Sequence, residues 1–329
     1  MNILFMLHGS EGVCGPRNRQ TVIIKELLKK HKIYVTQTKH FIYKENINSL
    51  VTPIKVPSFK YVFSEEEIHT IIKKYTIHAI VDDYRTKLPS GYRLPIPSLY
   101  IGHGLITEKF GISQYREIYL QNRTYDFEII SSFYQGDCPP IYNKDIFIEQ
   151  NPRNSNEKDY YIVYVRFSVQ EQILPFLKNS ILQKYPVCYL ENYTSEDHTP
   201  SYISILQNCR GIICTGGHQL PAECYRLQKP VLTFPSFCRV SLDDHNKNTF
   251  LLDKEQELNA RMVEKAGFGV FCDFPLVNFN EKFLEFHKKI DEGYFNFKDL
   301  QFSRDGIQFD FTDGTSTCMS KIEEFLKKL

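Results

Sequence analysis

The first half of the chain alternates short apolar runs with amphipathic stretches. The apolar runs predict buried strands at residues 2–7, 32–38, 79–82, 98–101 and 127–131. Helical periodicity predicts helices at residues 17–30 and 64–74, and Ser64 with Glu67 forms a capping box at the start of the second. Strands that alternate with helices indicate an α/β fold with parallel sheets.

The same alternation returns in the second half, after a polar, turn-rich segment at residues 151–158 that has no apolar periodicity. The near-continuous apolar run at 160–167 is typical of a buried parallel strand. Further strands are predicted at 210–215 and 231–234, and helices at 169–182, 200–209, 220–228, 280–291 and 317–329. The sequence of 329 residues therefore predicts two domains, residues 1–154 and 155–329.

A glycine pair, Gly216-Gly217, separates the predicted strand at 210–215 from the helix that follows it. A strand, a Gly-rich turn and a helix form half of a doubly wound sheet, and the helix start offers N–H groups and a positive dipole end to a phosphate. Glu223 is predicted on the first turn of this helix, where its carboxylate can accept hydrogen bonds from a ribose diol. The alternative is that the glycine pair only closes a tight turn.

A polar cluster at residues 253–260 precedes an amphipathic helix that ends near Gly267, where the next loop of a doubly wound sheet would meet the same crevice. The Gly-rich turn, Glu223, the segment Lys229 to Pro235 and the segment Glu255 to Gly269 occur in that order. This order resembles the C-terminal half of GT-B glycosyltransferases, in particular the MurG-like group with family 28 C-terminal domains. The resemblance is close over about 60 residues.

This resemblance implies a GT-B fold, with two Rossmann-like domains facing a cleft and a UDP-linked sugar donor held by the second. The backbone of Gly216, Gly217 and His218 would meet the diphosphate, and Glu223 would hold the ribose. Glu255 and Gln256 would meet sugar hydroxyls, and Asn259 would brace their loop. The alternative is that Glu255, Glu257 and Asn259 form a solvated first turn of a helix. The terminal helix is expected to pack back on the first domain.

Arg166 and Ser168 follow the first strand of the second domain, at its carboxyl edge. Arg166 there can neutralise phosphate charge, although a surface arginine would give the same pattern.

The catalytic base is expected in the first domain, because an inverting transfer needs a carboxylate or imidazole near the acceptor hydroxyl. Relatives often have a histidine after the glycine of the first loop, where this chain has Pro16. The candidates are His8, Glu11, Asp82, Asp83 and His103. His103 and Asp83 rank above Glu11, since both follow predicted strands, and the flanking glycines are expected to expose His103.

Composition and short motifs restrict the classes of partner, compartment and cofactor expected for this protein. A formal net charge of +1 gives no nucleic-acid footprint. Nine cysteines without a C-x-x-C pattern predict free thiols in a reducing compartment. The sequence shows no signal peptide or membrane span, which predicts a cytoplasmic protein and leaves peripheral membrane association open. No D-x-D motif is present, so we expect metal independence and no cofactor besides the nucleotide-sugar co-substrate.

We therefore expect a metal-independent glycosyltransferase. Two rival hypotheses are a nucleotide-sugar hydrolase or 2-epimerase on the same fold, and a non-catalytic nucleotide-sugar-binding subunit. The sequence leaves open the sugar, the oligomeric state and the acceptor, which could be a lipid, glycan, protein, nucleic acid or small molecule.

Overall fold

The structure is a computed structural model. It describes residues 1–7, 14–37, 47–56, 62–83, 88–142 (except 113, 119 and 121), 160–166, 169–190, 205–241 and 248–329. These residues form two compact units, one of residues 1–143 with 312–329 and the other of residues 144–311. The predicted linker at 151–158 lies outside the described residues.

The first unit is built on a six-stranded parallel sheet in the order β3-β2-β1-β4-β5-β6. Its strands are β1 (Asn2–Leu7), β2 (Lys32–Gln37), β3 (Thr52–Lys55), β4 (Ala79–Asp83), β5 (Ser98–Gly102) and β6 (Phe127–Ile130). Its helices are α1 (Cys14–Leu27), α2 (Ile47–Leu50), α3 (Glu65–Tyr75), α4 (Ile106–Lys109) and α5 (Gln114–Ile118). The order doubles back at β1 and β4, as a doubly wound sheet requires.

Two apolar clusters cover the faces of this sheet. One face, with Ile3, Phe5 and Val81, packs against α1 and against the last helix of the chain, which contributes Ile322 and Phe325. The other face, with Leu4 and Ile80, packs against α3 through Ile68. The predicted capping box is confirmed: the Ser64 side chain accepts from the N–H of Glu67, and the Glu67 side chain accepts from the N–H of Ser64.

The second unit contains a five-stranded parallel sheet in the order β13-β10-β9-β7-β8. Its strands are β7 (Tyr161–Tyr164), β8 (Val187–Tyr189), β9 (Gly211–Thr215), β10 (Val231–Phe234) and β13 (Gly269–Phe271). Two antiparallel hairpins are added, β11 (Phe237–Ser241) with β12 (Asn248–Leu252), and β14 (Gln301–Arg304) with β15 (Ile307–Asp310). The helices are α6 (Gln170–Lys178), α7 (Gln219–Arg226), α8 (Lys254–Ala266) and α9 (Phe279–Asp291); the last helix of the chain, α10 (Thr315–Lys327), belongs to the first unit.

The structure differs from the predicted elements at several positions, and β3, β8 and the β14–β15 hairpin were also not predicted. The predicted helix at 169–182 ends at Lys178, and a separate 3₁₀ turn follows at Ile181–Lys184. The segment between β10 and α8, for which no strand was predicted, carries the β11–β12 hairpin. The residues after Gly267 form β13, which pairs with β10 and was not predicted.

Candidate functional site

The turn after β9 is closed tightly, and its amides are used inside the protein. The N–H of Gly216 donates to the carbonyl of Phe234 at 2.7 Å, and that of Gly217 donates to the carbonyl of Thr215 at 2.6 Å. The expectation that this turn presents free N–H groups is therefore wrong for these two residues in this conformation. His218, the residue before α7, is 4% exposed, and its side chain makes no capping hydrogen bond to α7.

The space available for a side chain differs between Gly216 and Gly217. A Cβ at Gly216 would overlap the carbonyl oxygen of Gln256, because the turn packs directly on α8. A Cβ at Gly217 would have as its nearest described neighbour the carbonyl oxygen of Thr215, at 3.9 Å. Gly216 is thus explained by packing, whereas Gly217 leaves room for another group to approach the backbone.

The N-terminus of α8 lies beside this turn. The predicted polar cluster forms the first two turns of the helix rather than a loop before it. Asp253 is the N-cap: its Oδ1 accepts from the N–H of Gln256 at 3.4 Å, and its own N–H donates to the carbonyl of Ser236 at 2.9 Å. Its Oδ2 accepts from Arg166 Nη1 at 3.3 Å. Arg166 is therefore held by a carboxylate that is 2% exposed.

Asn259 joins the helix to the turn. Its Nδ2 donates to the carbonyl of Gly216 at 3.1 Å and lies 3.5 Å from Glu255 Oε1. Asn259 is fully buried, Glu255 is 5% exposed and Gln256 is 6% exposed. The alternative of a solvated first turn is therefore wrong for Glu255 and Asn259, whereas Glu257 is not among the buried residues. The structure brings Gly216, Glu255, Gln256 and Asn259 together at the carboxyl edge of the sheet, although none of these contacts identifies a ligand.

Glu223 is the fifth residue of α7, one residue further into the helix than predicted, and it is 3% exposed. Its Oε1 accepts from Gln219 Nε2 at 3.0 Å. Burial raises the pKa of Glu223 to about 7, and the hydrogen bond from Gln219 acts in the opposite direction. The raised pKa favours the neutral carboxyl, which is unusual for a residue whose expected role is that of a carboxylate acceptor.

Two side-chain oxygens at this edge have no hydrogen-bond partner among the described residues: Ser236 Oγ and Gln256 Oε1. Ser236 is fully buried and follows β10 by two residues. Buried polar groups in proteins are nearly always hydrogen-bonded, which makes these two oxygens candidates for a hydrogen bond to a ligand.

The candidate bases of the first unit are buried among other polar groups. Arg19 of α1 donates to both carboxylate oxygens of Asp83, through Nε at 3.1 Å and through Nη2. Its third nitrogen, Nη1, lies 3.3 Å from His103 Nδ1. Burial raises the pKa of Asp83, and the guanidinium of Arg19 opposes this shift. Asp83 is thus fixed in an ion pair, which does not suit a group that must accept a proton from a substrate.

His103 is 9% exposed, so the expectation that its glycines expose it is wrong. A Cβ at Gly102 would overlap the Tyr100 ring, and one at Gly104 would overlap the Tyr115 ring, so both glycines serve packing. Asp82 points to the other face of the sheet and accepts a hydrogen bond from the Tyr125 hydroxyl. The candidates His8, Glu11 and Ser168 lie outside the described residues.

Neither family models nor curated proteins match this sequence. Solved structures do match over nearly the whole chain. A glycotransferase of kitacinnamycin aligns with a TM-score of 0.54 at 12% identity, covering 99% of each chain. The calicheamicin glycosyltransferase CalG4 aligns with a TM-score of 0.52 at 12% identity, covering 100% of this chain and 98% of the other.

A protein described as a UDP-N-acetylglucosamine 2-epimerase, from Listeria monocytogenes, aligns with a TM-score of 0.50 at 7% identity, covering 100% of this chain and 97% of the other. The chain contains two doubly wound parallel sheets, one in each unit, and these structures align with it over nearly its whole length. Together these observations establish the fold. The chain has the GT-B fold. At such low identity the alignments establish the fold alone, because one fold carries many activities.

Sequence reasoning missed three residues of this GT-B chain. Asp253 and Ser236 belong to the carboxyl edge of the second sheet, and Arg19 connects two candidates of the first. Asp253 had a readable signal, since an aspartate three residues before Gln256 at the start of a helix is a capping pattern. Ser236 and Arg19 had none, because their significance depends on contacts between distant parts of the chain.

Two further properties concern the described part of this GT-B chain. No group of three or more His, Cys, Asp or Glu side chains within it is arranged to hold a metal ion. None of its helices is long and apolar enough to cross a membrane.

Proposed function

We propose that this protein is a glycosyltransferase that uses a nucleotide-sugar donor, UDP-linked, bound at the carboxyl edge of the second sheet. The observation that carries the proposal is the convergence at this edge of Gly216, Asp253 with Arg166, Glu255 and Asn259 on a GT-B fold. Ligands of open α/β sheets bind at this edge.

In this proposal, the start of α7 receives the diphosphate, since a helix N-terminus favours an anion. Arg166 supplies a positive charge beside it, once Asp253 shares that guanidinium with the phosphate. Glu223 accepts the hydroxyls of the ribose, while Glu255 and Gln256 bind hydroxyls of the sugar. The donor is used without a metal ion or cofactor, and stabilising the departing diphosphate supplies much of the catalysis.

The test of the donor site is binding of UDP alone. A ligand that binds only the native state stabilises it by about 2.7 kcal/mol at a hundred times its dissociation constant. We therefore expect UDP to raise the melting temperature and CMP to raise it less. If no nucleoside diphosphate at millimolar concentration changes the melting temperature, the donor-site assignment is wrong.

Glu223→Ala tests the role of the ribose ligand. Loss of hydrogen bonds to a charged group should weaken UDP binding by roughly 1.5–3 kcal/mol without unfolding the protein. Glu257→Ala is the matched control, because Glu257 lies on the outer side of α8 and pairs with Lys254 and Arg261. If both variants bind UDP as the wild type does, Glu223 has no part in donor binding.

A nucleotide-sugar hydrolase or 2-epimerase is the second candidate, and the alignment with a protein described as a UDP-N-acetylglucosamine 2-epimerase supports it. The third is a non-catalytic binding subunit, which the ion-paired state of Asp83 supports. Turnover of a nucleotide sugar, with and without a panel of acceptors, separates the three. Transfer requires the acceptor, hydrolysis or epimerisation proceeds without it, and a binding subunit shows neither.

A further inference from the structure

Arg19 holds two side chains of the first unit at once. It is 2% exposed and extends from α1 towards the carboxyl ends of β4 and β5. Two of its nitrogens bind the carboxylate of Asp83, and the third lies 3.3 Å from His103 Nδ1. A guanidinium is planar and rigid, so the two contacts to Asp83 determine the direction of the third N–H group.

This contact determines the protonation of the imidazole. Arginine has five N–H donors and no acceptor, so the ring nitrogen that faces it must carry a lone pair. A neutral imidazole has one protonated nitrogen. When Nδ1 accepts from Arg19, the hydrogen of His103 is therefore on Nε2. A histidine base of the common kind has the opposite arrangement, with Nδ1–H bonded to a carboxylate or carbonyl and Nε2 free to take a proton.

The backbone around His103 is packed from several sides. Gln20 Nε2 lies 3.4 Å from the backbone carbonyl oxygen of Asp83 and adds a second link between α1 and the end of β4. The backbone on either side of His103 packs against the rings of Tyr100 and Tyr115, where Gly102 and Gly104 leave no space for a Cβ. The backbone that carries His103 is therefore held in place relative to Arg19.

We propose that Arg19 is a positioning residue that keeps His103 in the Nε2–H form, so that His103 donates a hydrogen bond to a substrate oxygen and does not remove its proton. The part that concerns the substrate rests on the proposed glycosyl transfer, whereas the tautomer does not. An oxygen that bears or gains negative charge is the group that such a fixed donor stabilises. The proton of the acceptor hydroxyl then leaves to another group.

Nitrogen-15 NMR of the free protein tests the tautomer directly. With ¹⁵N-labelled histidine, long-range ¹H–¹⁵N correlations distinguish a ring protonated on Nδ1 from one protonated on Nε2. The sequence has ten histidines, so His103→Asn identifies the signals of His103 by their loss. We expect His103 in the Nε2–H form near pH 8. A His103 ring protonated on Nδ1 in the wild type would overturn the proposal, whatever the protein binds.

Two variants test whether Arg19 is the cause. Arg19→Lys keeps a group that can only donate, so the Nε2–H form should persist. Arg19→Gln combined with Asp83→Asn removes both charges together and introduces an amide that can also accept, so a detectable fraction of the Nδ1–H form should appear. An unchanged tautomer in the folded double variant would overturn the role of Arg19. If the double variant does not fold, the Arg19→Lys spectrum decides: a shift to the Nδ1–H form there contradicts the proposal.

Turnover separates a donor from a base once a transfer assay exists. Asparagine can still donate a hydrogen bond from this position, while leucine can neither donate nor accept. Removal of one preorganised donor costs about 10²–10³ in turnover number. We therefore expect His103→Leu to lose about a hundredfold more turnover than His103→Asn, and an equal loss in both would show a base. If the wild type itself transfers no sugar, the proposed function fails, while the tautomer stands on the NMR result.

Discussion

The two units each bury a carboxyl group near the carboxyl edge of a parallel sheet, but the two carboxyl groups have different hydrogen-bond partners. In the first, Asp83 is bound through both oxygens by Arg19. In the second, Glu223 accepts a hydrogen bond from the neutral amide of Gln219, and burial raises its pKa to about 7. Ser236 Oγ and Gln256 Oε1 of the second unit have no partner among the described residues, and the same holds for Gln20 Oε1 of the first. A polar group whose bonds are complete holds a structure together, whereas one left incomplete is available to a ligand.

The largest effect should come from breaking the complete pair. Asp83→Asn leaves the guanidinium of Arg19 buried without its counter-charge, and removing one partner of a buried ion pair costs about 3–5 kcal/mol. Urea unfolding should show this loss in the free energy of unfolding. The neutral pair Arg19→Leu with Asp83→Leu is the control and should recover part of it. If Asp83→Asn is as stable as the wild type, the ion pair is not structural.

In the second unit, removing the charge of the buried carboxyl should raise the free energy of unfolding instead of lowering it. The folded-state pKa of Glu223 is raised from its ordinary value of 4.5 to about 7, so the folded protein holds a proton that the unfolded chain releases. Its contribution to stability is present below pH 4.5 and is lost as the pH rises through about 7. Glu223→Gln does not titrate, so above pH 7 it should exceed the wild type in unfolding free energy by about 3 kcal/mol.

Unfolding of Glu223→Gln and wild type across pH 4.5–8 measures this difference. Glu257→Gln is the control, because hydrogen bonds from Lys254 and Arg261 lower the pKa of Glu257 against the effect of its partial burial. Its removal should cost stability rather than add it. A Glu223→Gln variant less stable than wild type at pH 8 would mean that the carboxylate makes a favourable contact in the folded state.

The sequence predicted most of the strands and helices that form the carboxyl edge of each sheet. It did not predict the side-chain contacts within each edge. β9, the glycine turn, α7 and β10 follow from apolar runs and turn residues, which are local properties. The β11–β12 hairpin was missed because its strands have only five residues each and the segment that joins them is polar. β13 was missed because a strand of three residues is too short to show a period.

The candidate site was predictable only in part, for the same reason. Glu255, Gln256 and Asn259 were found by their order after the glycine turn, although their burial was not. Arg19 and His103 are 84 positions apart, and Ser236 meets Asp253 only because the hairpin returns the chain to β10. Such contacts depend on tertiary packing, which a single sequence does not display.

Alanine substitutions at Gly216 and Gly217 should differ in their cost to stability, by an amount between the effects above and the one below. Gly216→Ala forces a methyl group into the Gln256 carbonyl, and overpacking of this kind costs about 1–3 kcal/mol. Gly217→Ala meets no such obstacle and should unfold at nearly the wild-type urea concentration. If the diphosphate approaches the backbone here, Gly217→Ala weakens UDP binding measured by calorimetry. Equal stability of the two variants would contradict the packing explanation of Gly216.

The smallest effect should come from Ser236. Ser236→Ala removes a hydroxyl that has no partner among the described residues, so the ligand-free protein should lose no stability. A nucleotide sugar that bonds to this oxygen should bind the variant more weakly by about 0.5–1.5 kcal/mol. Thr233→Val on β10 is the matched control, because Thr233 Oγ1 is buried and donates to the carbonyl of Ala260 at 3.2 Å. That variant should lose about 1 kcal/mol of stability and keep its affinity. Urea unfolding and calorimetry with UDP-glucose measure both quantities. If Ser236→Ala instead loses stability and keeps its affinity, the oxygen holds a structural water and takes no part in donor binding.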